Sequence, residues 1–272
     1  MVFSPSFLPA NKRLGQNFLI DPNIVRKIVA TAELTQDQTV LEIGPGRGIL
    51  TDALARAAGK VVAVEIDPLL HGQLQERKTE WPNVELVCED ALKFQLGELP
   101  AGTIVVANLP YYISTPLLFR LLDHRTRFPR LVLMLQEEVA DRLVAKPGSA
   151  DYGVLSVMVQ YAAHITKAFK VSAQCFRPRP EVGSAVVLLR TKEQTVLRPE
   201  KEPAFAALVK ASFAHRRKTL VNSLRDEGYD HQVAAKMLSE MGVSPTTRAE
   251  TLALDQFIAL TERMNQGDSR LN

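Results

Sequence analysis

The chain has 272 residues, 46% hydrophobic and 23% charged, with a net charge of only +3. That balance fits a folded globular protein of one large and one small domain, and it excludes any whole-molecule electrostatic argument for nucleic acid. Two cysteines, Cys88 and Cys175, are too few for a disulfide framework or a four-ligand zinc site, and the five histidines show no ligand spacing, so no metal is expected. No apolar run reaches membrane-spanning length and no secretory leader is evident, so a cytoplasmic protein without a membrane partner is expected.

Residues Met1 to Asn11 carry no acid and read as a loose arm. Lys12-Arg13 leads into Leu14-Gly15-Gln16-Asn17-Phe18-Leu19, a loop with a glycine hinge and two amides. Asp21-Pro22 is a helix start, and Ile24, Val25, Ile28, Val29 and Ala32 share one apolar face. Thr39 to Ile43 reads as the first strand. It runs into Gly44-Pro45-Gly46-Arg47-Gly48, where backbone can approach a ligand closely, and then into a helix from Ile49. Such a turn alone suits a dinucleotide, a nucleotide or S-adenosylmethionine equally. The second strand, Lys60 to Glu65, ends in an acid able to accept two ribose hydroxyls; a surface glutamate is the plainer alternative. Pro68 starts the next helix. The third strand, Val84 to Cys88, leads to Asp90.

Thr103 to Ala107 is a fourth buried strand, followed by Asn108-Leu109-Pro110-Tyr111. Asn108 offers a carbonyl acceptor, Pro110 restricts Leu109 so that its carbonyl points one way, and Tyr111 offers a flat apolar face. Two fixed acceptors beside an aromatic plate suit a planar ring bearing an amino group. The alternative is an ordinary proline turn with Tyr111 and Tyr112 in the core. Gly44, Glu65, Asp90 and Asn108 thus follow four successive strands, giving an α/β order with a polar rim along one sheet edge.

Ser114-Thr115-Pro116 caps a helix through Leu122, Arg130 to Leu135 is a strand, and Gln136 to Val144 and Asp151 to Ala163 read as helices. Ile165 to Val171 and Ser184 to Thr191 read as strands. The loop between them, Phe176-Arg177-Pro178-Arg179-Pro180-Glu181-Val182-Gly183-Ser184, is stiffened by its prolines. An exposed Phe176 beside Arg177 and Arg179 would suit stacking on a base and pairing with phosphate; a connector with Phe176 buried is the alternative. A domain boundary is expected between residues 196 and 197. Beyond it only helical spacing recurs, at Ala204 to Ala214, Leu220 to Leu224, Val233 to Met241 and Asp255 to Met264. This appendix carries Lys210, His215, Arg216, Arg217, Lys218 and Arg225, with no acid between Ala204 and Leu224: a phosphate contact or merely a solvated face.

Leu41-Glu42-Ile43-Gly44-Pro45-Gly46-Arg47-Gly48 resembles the S-adenosylmethionine loop of class I methyltransferases. Taken with Asn108-Leu109-Pro110-Tyr111, Leu14 to Leu19, the Phe176 to Ser184 loop and Arg216-Arg217-Lys218-Thr219-Leu220, the chain resembles the ribosomal RNA adenine dimethyltransferases from about Lys12 to Phe257, most of all the bacterial small-subunit kind. The resemblance implies a Rossmann-like sheet with helices on both faces plus a small all-helical C-terminal domain. It implies S-adenosylmethionine as cofactor, held by Asn17, Leu19, Gly44, Gly46, Glu65, Ile66, Asp90, Ala91 and Asn108. Asn108, Leu109 and Tyr111 would receive a flipped adenine, with Phe176 on its other face. Lys12, Arg13, Arg177, Arg179, Arg216, Arg217 and Lys218 would meet RNA, although Glu181 stands where the family often has a base. The implied reaction is dimethylation of two adjacent adenosines in a loop near the 3' end of small-subunit rRNA, on a partly assembled 30S particle, by a monomer. The rivals are a large-subunit rRNA adenine methyltransferase of the antibiotic-resistance kind, a DNA adenine methyltransferase lacking an evident recognition domain, and a non-catalytic assembly factor. A dehydrogenase would need an acid/base histidine, and no candidate stands out.

Overall fold

The computed structural model describes residues 10–11 and 14–264. The chain forms two compact units. The sheet unit comprises residues 1–140 and 164–193, and the helical unit comprises 141–163 and 194–272. The second crossing, at 193/194, lies near the boundary expected at 196/197, but residues 141–163 also belong with the helical unit.

In the sheet unit, α1 (Pro22–Ala32) opens as the sequence predicts, with the Asp21 carboxylate accepting from the Asn23 amide at 2.8 Å and Pro22 in the first turn. Then come β2 (Thr39–Ile43), α2 (Ile49–Ala57), β3 (Lys60–Glu65), α3 (Pro68–Glu76), β4 (Val84–Cys88), β5 (Ile104–Asn108), α4 (Ser114–Asp123), β6 (Arg130–Gln136), β7 (Ala163–Val171) and β9 (Ser184–Thr191). The strands form one sheet in the order β4-β3-β2-β5-β6-β9-β7. Neighbours from β4 to β6 are parallel, and β9 runs antiparallel to β6. Chain order reverses between β2 and β5, which leaves a crevice at their C-terminal ends.

Two short strands were not expected. β1 (Phe18–Leu19) pairs antiparallel with β8 (Phe176–Arg177), Leu19 opposite Phe176. This ties the amino-terminal loop to the proline loop and buries the Phe176 ring to 1% exposure in the same core as Leu19, Val25 and Val186. The expected exposure of Phe176 is therefore corrected: its ring is buried in apolar core. The expected cap at Ser114 also differs. Ser114 lies inside α4, and its hydroxyl donates back to the Tyr111 carbonyl at 3.0 Å.

The helical unit holds α6 (Val154–Ala162), α7 (Glu202–Phe213), α8 (Leu220–Asp226), α9 (His231–Glu240) and α10 (Leu254–Met264) around Phe205, Leu220, Leu238 and Phe257. Helix α5 (Glu137–Val144) runs across the first crossing between the units. No helix among the described residues is long and apolar enough to cross a membrane.

The turn from β2 to α2 depends on close packing. At Gly48, where φ is +79°, an added Cβ would lie 2.8 Å from the Trp81 ring and 2.9 Å from Leu74. Both neighbours are buried, so neither can yield cheaply. Gly48→Ala should lose about 2–4 kcal/mol of stability, combining overpacking with left-handed strain. Denaturant unfolding of the variant checks this; wild-type stability would contradict it.

Candidate active site

The C-terminal ends of β2, β3, β4 and β5 open into one cleft of about 970 Å³, counting space continuous with solvent. Its walls include Gly44 and Gly46 after β2, Glu65 and Ile66 at the end of β3, Asp90 and Ala91 after β4, and Asn108 as the last residue of β5 with Leu109 and Tyr111 beyond it. Asn17 and Leu19 line it from the amino-terminal loop. These eleven residues of the sequence-derived set meet in one place. Phe176 is not among the lining residues.

Each wall is locally fixed. The Glu65 carboxylate, 4% exposed, accepts from the Gly46 amide at 3.0 Å through one oxygen and from the Asp67 amide at 3.0 Å through the other. Burial pushes its pKa up, and those two amides pull against the rise. Asp90 turns the chain by accepting from the Leu92 amide at 2.9 Å. Arg120 of α4 braces that turn by donating to the carbonyls of Ala91 at 2.9 Å and Phe94 at 2.5 Å. The Leu109 amide donates to the Met134 carbonyl at 3.1 Å, while the Leu109 side chain is buried. The Asn108 amide donates to the Asn17 carbonyl at 3.3 Å. With its donor end turned to Asn17, the acceptor oxygen of Asn108 remains for a ligand.

The amino-terminal loop is pinned across the crevice. Gln16 donates to the Asp67 carboxylate at 3.0 Å. The Phe18 ring lies under the Arg47 guanidinium, 4.4 Å from centroid to carbon. A Cβ on Gly46, at φ +58°, would lie 3.0 Å from that ring, so glycine admits Phe18. Tyr112, expected in the core on the plainer reading, is 52% exposed at the cleft, and its ring lies 3.4 Å from where a Gly15 Cβ would stand.

Sequence reasoning missed Glu42. It lies in β2, 1% exposed, beside the glycine turn; its carboxylate oxygens make no hydrogen bond of ordinary geometry, and the buried Thr51 hydroxyl is the polar group close enough to oppose the rise in its pKa. The signal was an acid inside the otherwise apolar run Val40-Leu41-Glu42-Ile43. Burial pushes its pKa up to about 8, and the nearby Glu65 charge adds to the rise.

The basic residues divide between the units. Arg177 and Arg179 are exposed on the proline loop of the sheet unit. Arg216, Arg217 and Lys218 are exposed on the turn between α7 and α8 in the helical unit. The sequence suggested an acid-free cluster there, but α8 ends at Asp226, which pairs with Lys218 and, at 2.9 Å, with Arg225. Those two cations hold the Asp226 pKa down to about 2. Arg216 donates to the Ala150 carbonyl at 3.3 Å. Lys12 and Arg13 lie outside the described residues. Among the described residues no group of three or more histidine, cysteine, aspartate or glutamate side chains could hold a metal ion.

Comparison with known proteins bears on this arrangement. Residues 8–266 match the family model described as ribosomal RNA adenine dimethylase. A protein of Moorella thermoacetica named ribosomal RNA small subunit methyltransferase A is 44% identical over 268 residues, covering 94% of this chain and 93% of its own. A Levilactobacillus brevis protein of the same name is 44% identical over 272 residues, covering 96% and 92%. Among solved structures, a dimethyladenosine transferase from Plasmodium falciparum superposes with a TM-score of 0.82 at 28% identity, covering 94% of this chain and 100% of its own. The 23S rRNA methyltransferase ErmE gives 0.72 at 30% identity, covering 92% and 100%.

Glu42 makes stability pH-dependent. Its pKa is about 8 in the folded chain against the ordinary 4.5, so between those values the folded chain holds a proton that the unfolded chain has lost. The stabilising contribution is complete below 4.5 and is lost as pH rises towards 8. Glu42→Gln, which stays neutral, should match wild type near the lower limit and unfold at higher denaturant than wild type near the upper one. Parallel unfolding curves across that range would show Glu42 to be already ionised in the fold.

Proposed function

The chain belongs to the ribosomal RNA adenine dimethylase family, a family of S-adenosylmethionine-dependent methyltransferases, and we propose that the cleft of its sheet unit methylates small-subunit rRNA. The substrate on this reading is a pair of adjacent adenosines in a loop near the 3' end of that RNA, presented by a partly assembled 30S particle and dimethylated by a monomer. The observation that carries the reading is that Asn108-Leu109-Pro110-Tyr111 opens into the same cleft as the acids that follow β3 and β4. Small-subunit enzymes are the relatives at 44% identity and ErmE is at 30%, which favours the small over the large subunit.

The residues present suit the cofactor. A ligand with a cationic amine at one end meets the orphaned Glu42 carboxyl beside the glycine turn. A ribose and an adenine amine meet acceptors at Glu65 and Asp90, with Ile66 and Ala91 as apolar walls. Asn17 and Leu19 cover the site from the amino-terminal loop. When bound, S-adenosylmethionine supplies an electrophilic methyl group on a sulfonium.

The protein's task is then to present the target amine. An adenine amine is a poor nucleophile because its lone pair is delocalised into the ring. The Asn108 side-chain oxygen and the Leu109 carbonyl would accept its two N–H groups, letting the nitrogen pyramidalise with its lone pair turned towards the methyl group. This is positioning and electrostatic stabilisation, and the proton becomes acidic only as the new bond forms. No general base is required before attack. After one methylation a single N–H remains to be held, so a second transfer follows if the product rotates or rebinds. Tyr111 supplies the plate for the ring. A base must leave its stack to arrive there, at a cost of about a few kcal/mol that is least in an unpaired loop. Arg177, Arg179, Arg216, Arg217 and Lys218 would meet the phosphates.

Asn108→Ala should retain cofactor affinity within about twofold and lose on the order of 10²-fold or more in turnover. Labelled methyl transfer to partly assembled small subunits, followed by nucleoside analysis, reads this; unchanged turnover would refute the acceptor role, and absent incorporation by wild type would favour a non-catalytic assembly factor. Changing Arg216, Arg217 and Lys218 together to Ala should weaken RNA binding and flatten its salt dependence, reducing the log–log slope by about 2 because Lys218 is already paired with Asp226. An altered cofactor affinity with intact RNA affinity would remove that turn from the RNA surface.

A further inference from the structure

Ser184 is the first residue of β9, fully buried, and lies opposite Gln136 at the end of β6. It does not line the cleft. Its Oγ is 2.9 Å from the Tyr111 hydroxyl, the one polar group on that ring.

The backbone leading to Ser184 is tightly held. The Gly183 carbonyl accepts from the Glu137 amide at 3.0 Å. A Cβ on Gly183 would lie 3.2 Å from the Glu137 carboxylate, so the chain passes this point only as glycine without displacing that group. Lys170 holds the same carboxylate at 2.5 Å, and Lys167 stands 3.6 Å away. The Ser184 hydroxyl is therefore a fixed point at the edge of the sheet.

Tyr111 is fixed at its other end by its backbone. It follows Pro110, whose φ is −57°, and its carbonyl accepts from Ser114 at 3.0 Å. A tyrosine held only by its backbone still turns about two side-chain bonds. The bond to Ser184 removes that freedom. It also explains the use of tyrosine where phenylalanine would give the same apolar face. Desolvation raises the phenol pKa, so the hydroxyl stays neutral and remains a hydrogen-bonding group.

We infer that Ser184 is a positioning residue for methyl transfer: by holding the Tyr111 hydroxyl it sets the plane of the ring on which the target adenine rests. This depends on the reading of Tyr111 given above. A plate tilted by a few tenths of an ångström misplaces the amine relative to the Asn108 acceptor, and such preorganisation bears on turnover more than on affinity.

The test is a double-mutant cycle of Ser184→Ala and Tyr111→Phe, with Tyr111→Ala alongside, assayed for methyl transfer to partly assembled small subunits. Each single change in the cycle should lower kcat by about 5- to 20-fold with cofactor Kd unchanged, and the double variant should be no slower than the slower single one. Losses that multiply would overturn the coupling while leaving Tyr111 as the plate. If Tyr111→Ala kept full turnover, the role of Tyr111 itself would fall, and the inference with it. Should Ser184→Ala unfold, Ser184→Cys preserves the volume with a weaker hydrogen-bonding group and closes the same cycle.

Discussion

The structure depends on a reversal in strand order between β2 and β5. These neighbours are parallel, and their following loops part at the C-terminal edge. A Cβ on Gly44 would lie 3.8 Å from the Asn108 carbonyl oxygen, so the glycine turn and the Asn-Leu-Pro-Tyr corner flank the crevice backbone to backbone. On the proposed function, cofactor and target base would share one opening, each held by a different strand end. Adjacent strands in a parallel register fix that spacing over four or five residue pairs each, which no loop could do alone.

A polar rim of this kind carries a cost. Leaving the Glu42 carboxyl buried without a partner costs on the order of 2–7 kcal/mol even when it is neutral, and far more when it is ionised. Glu65 makes full ionisation of both harder still, although its own oxygens are satisfied by the Gly46 and Asp67 amides. The two acids therefore have different characters. Glu65 organises the glycine turn, and Glu42 is a buried carboxyl held in its neutral form. Stability is given up at the site and recovered in the apolar strands beneath it.

The main sheet was legible because its inner strands are buried on both faces and so appear as largely apolar runs between glycine and proline punctuation, whereas the edge strands β4 and β7 are partly exposed. Thr39–Ile43, Lys60–Glu65, Val84–Cys88 and Ser184–Thr191 match their predicted spans residue for residue. What escaped was non-local. Phe18-Leu19 and Phe176-Arg177 are two-residue strands far apart in sequence, and nothing in either segment announces the other. That missed pairing is why Phe176 could be mistaken for an exposed ring. Asp226 escaped for a similar reason, because a helical turn brings it back onto Lys218, eight residues earlier. Glu42 was visible as an acid in an apolar strand, but its meaning required knowing that both its oxygens lack partners.

The charges also sort the two substrates. Glu42, Glu65, Glu89 and Asp90 line the crevice, with Arg47 as the one basic residue among the described residues that line it, while Arg177 and Arg179 are exposed on the proline loop. On the proposed function, a cofactor bearing a sulfonium and an ammonium would be drawn towards the ionised acids among these, with Glu42 contributing only once it loses its proton, and a phosphate backbone would be repelled from them. On the same reading, RNA would be held by the outer basic residues and would send in a neutral base, extended from its backbone, to reach the Asn108 corner. The acids would then discriminate within the nucleotide itself, admitting the purine and refusing the phosphate attached to it. On this argument the requirement for an unstacked, looped target comes from the electrostatics of the cleft as much as from its shape.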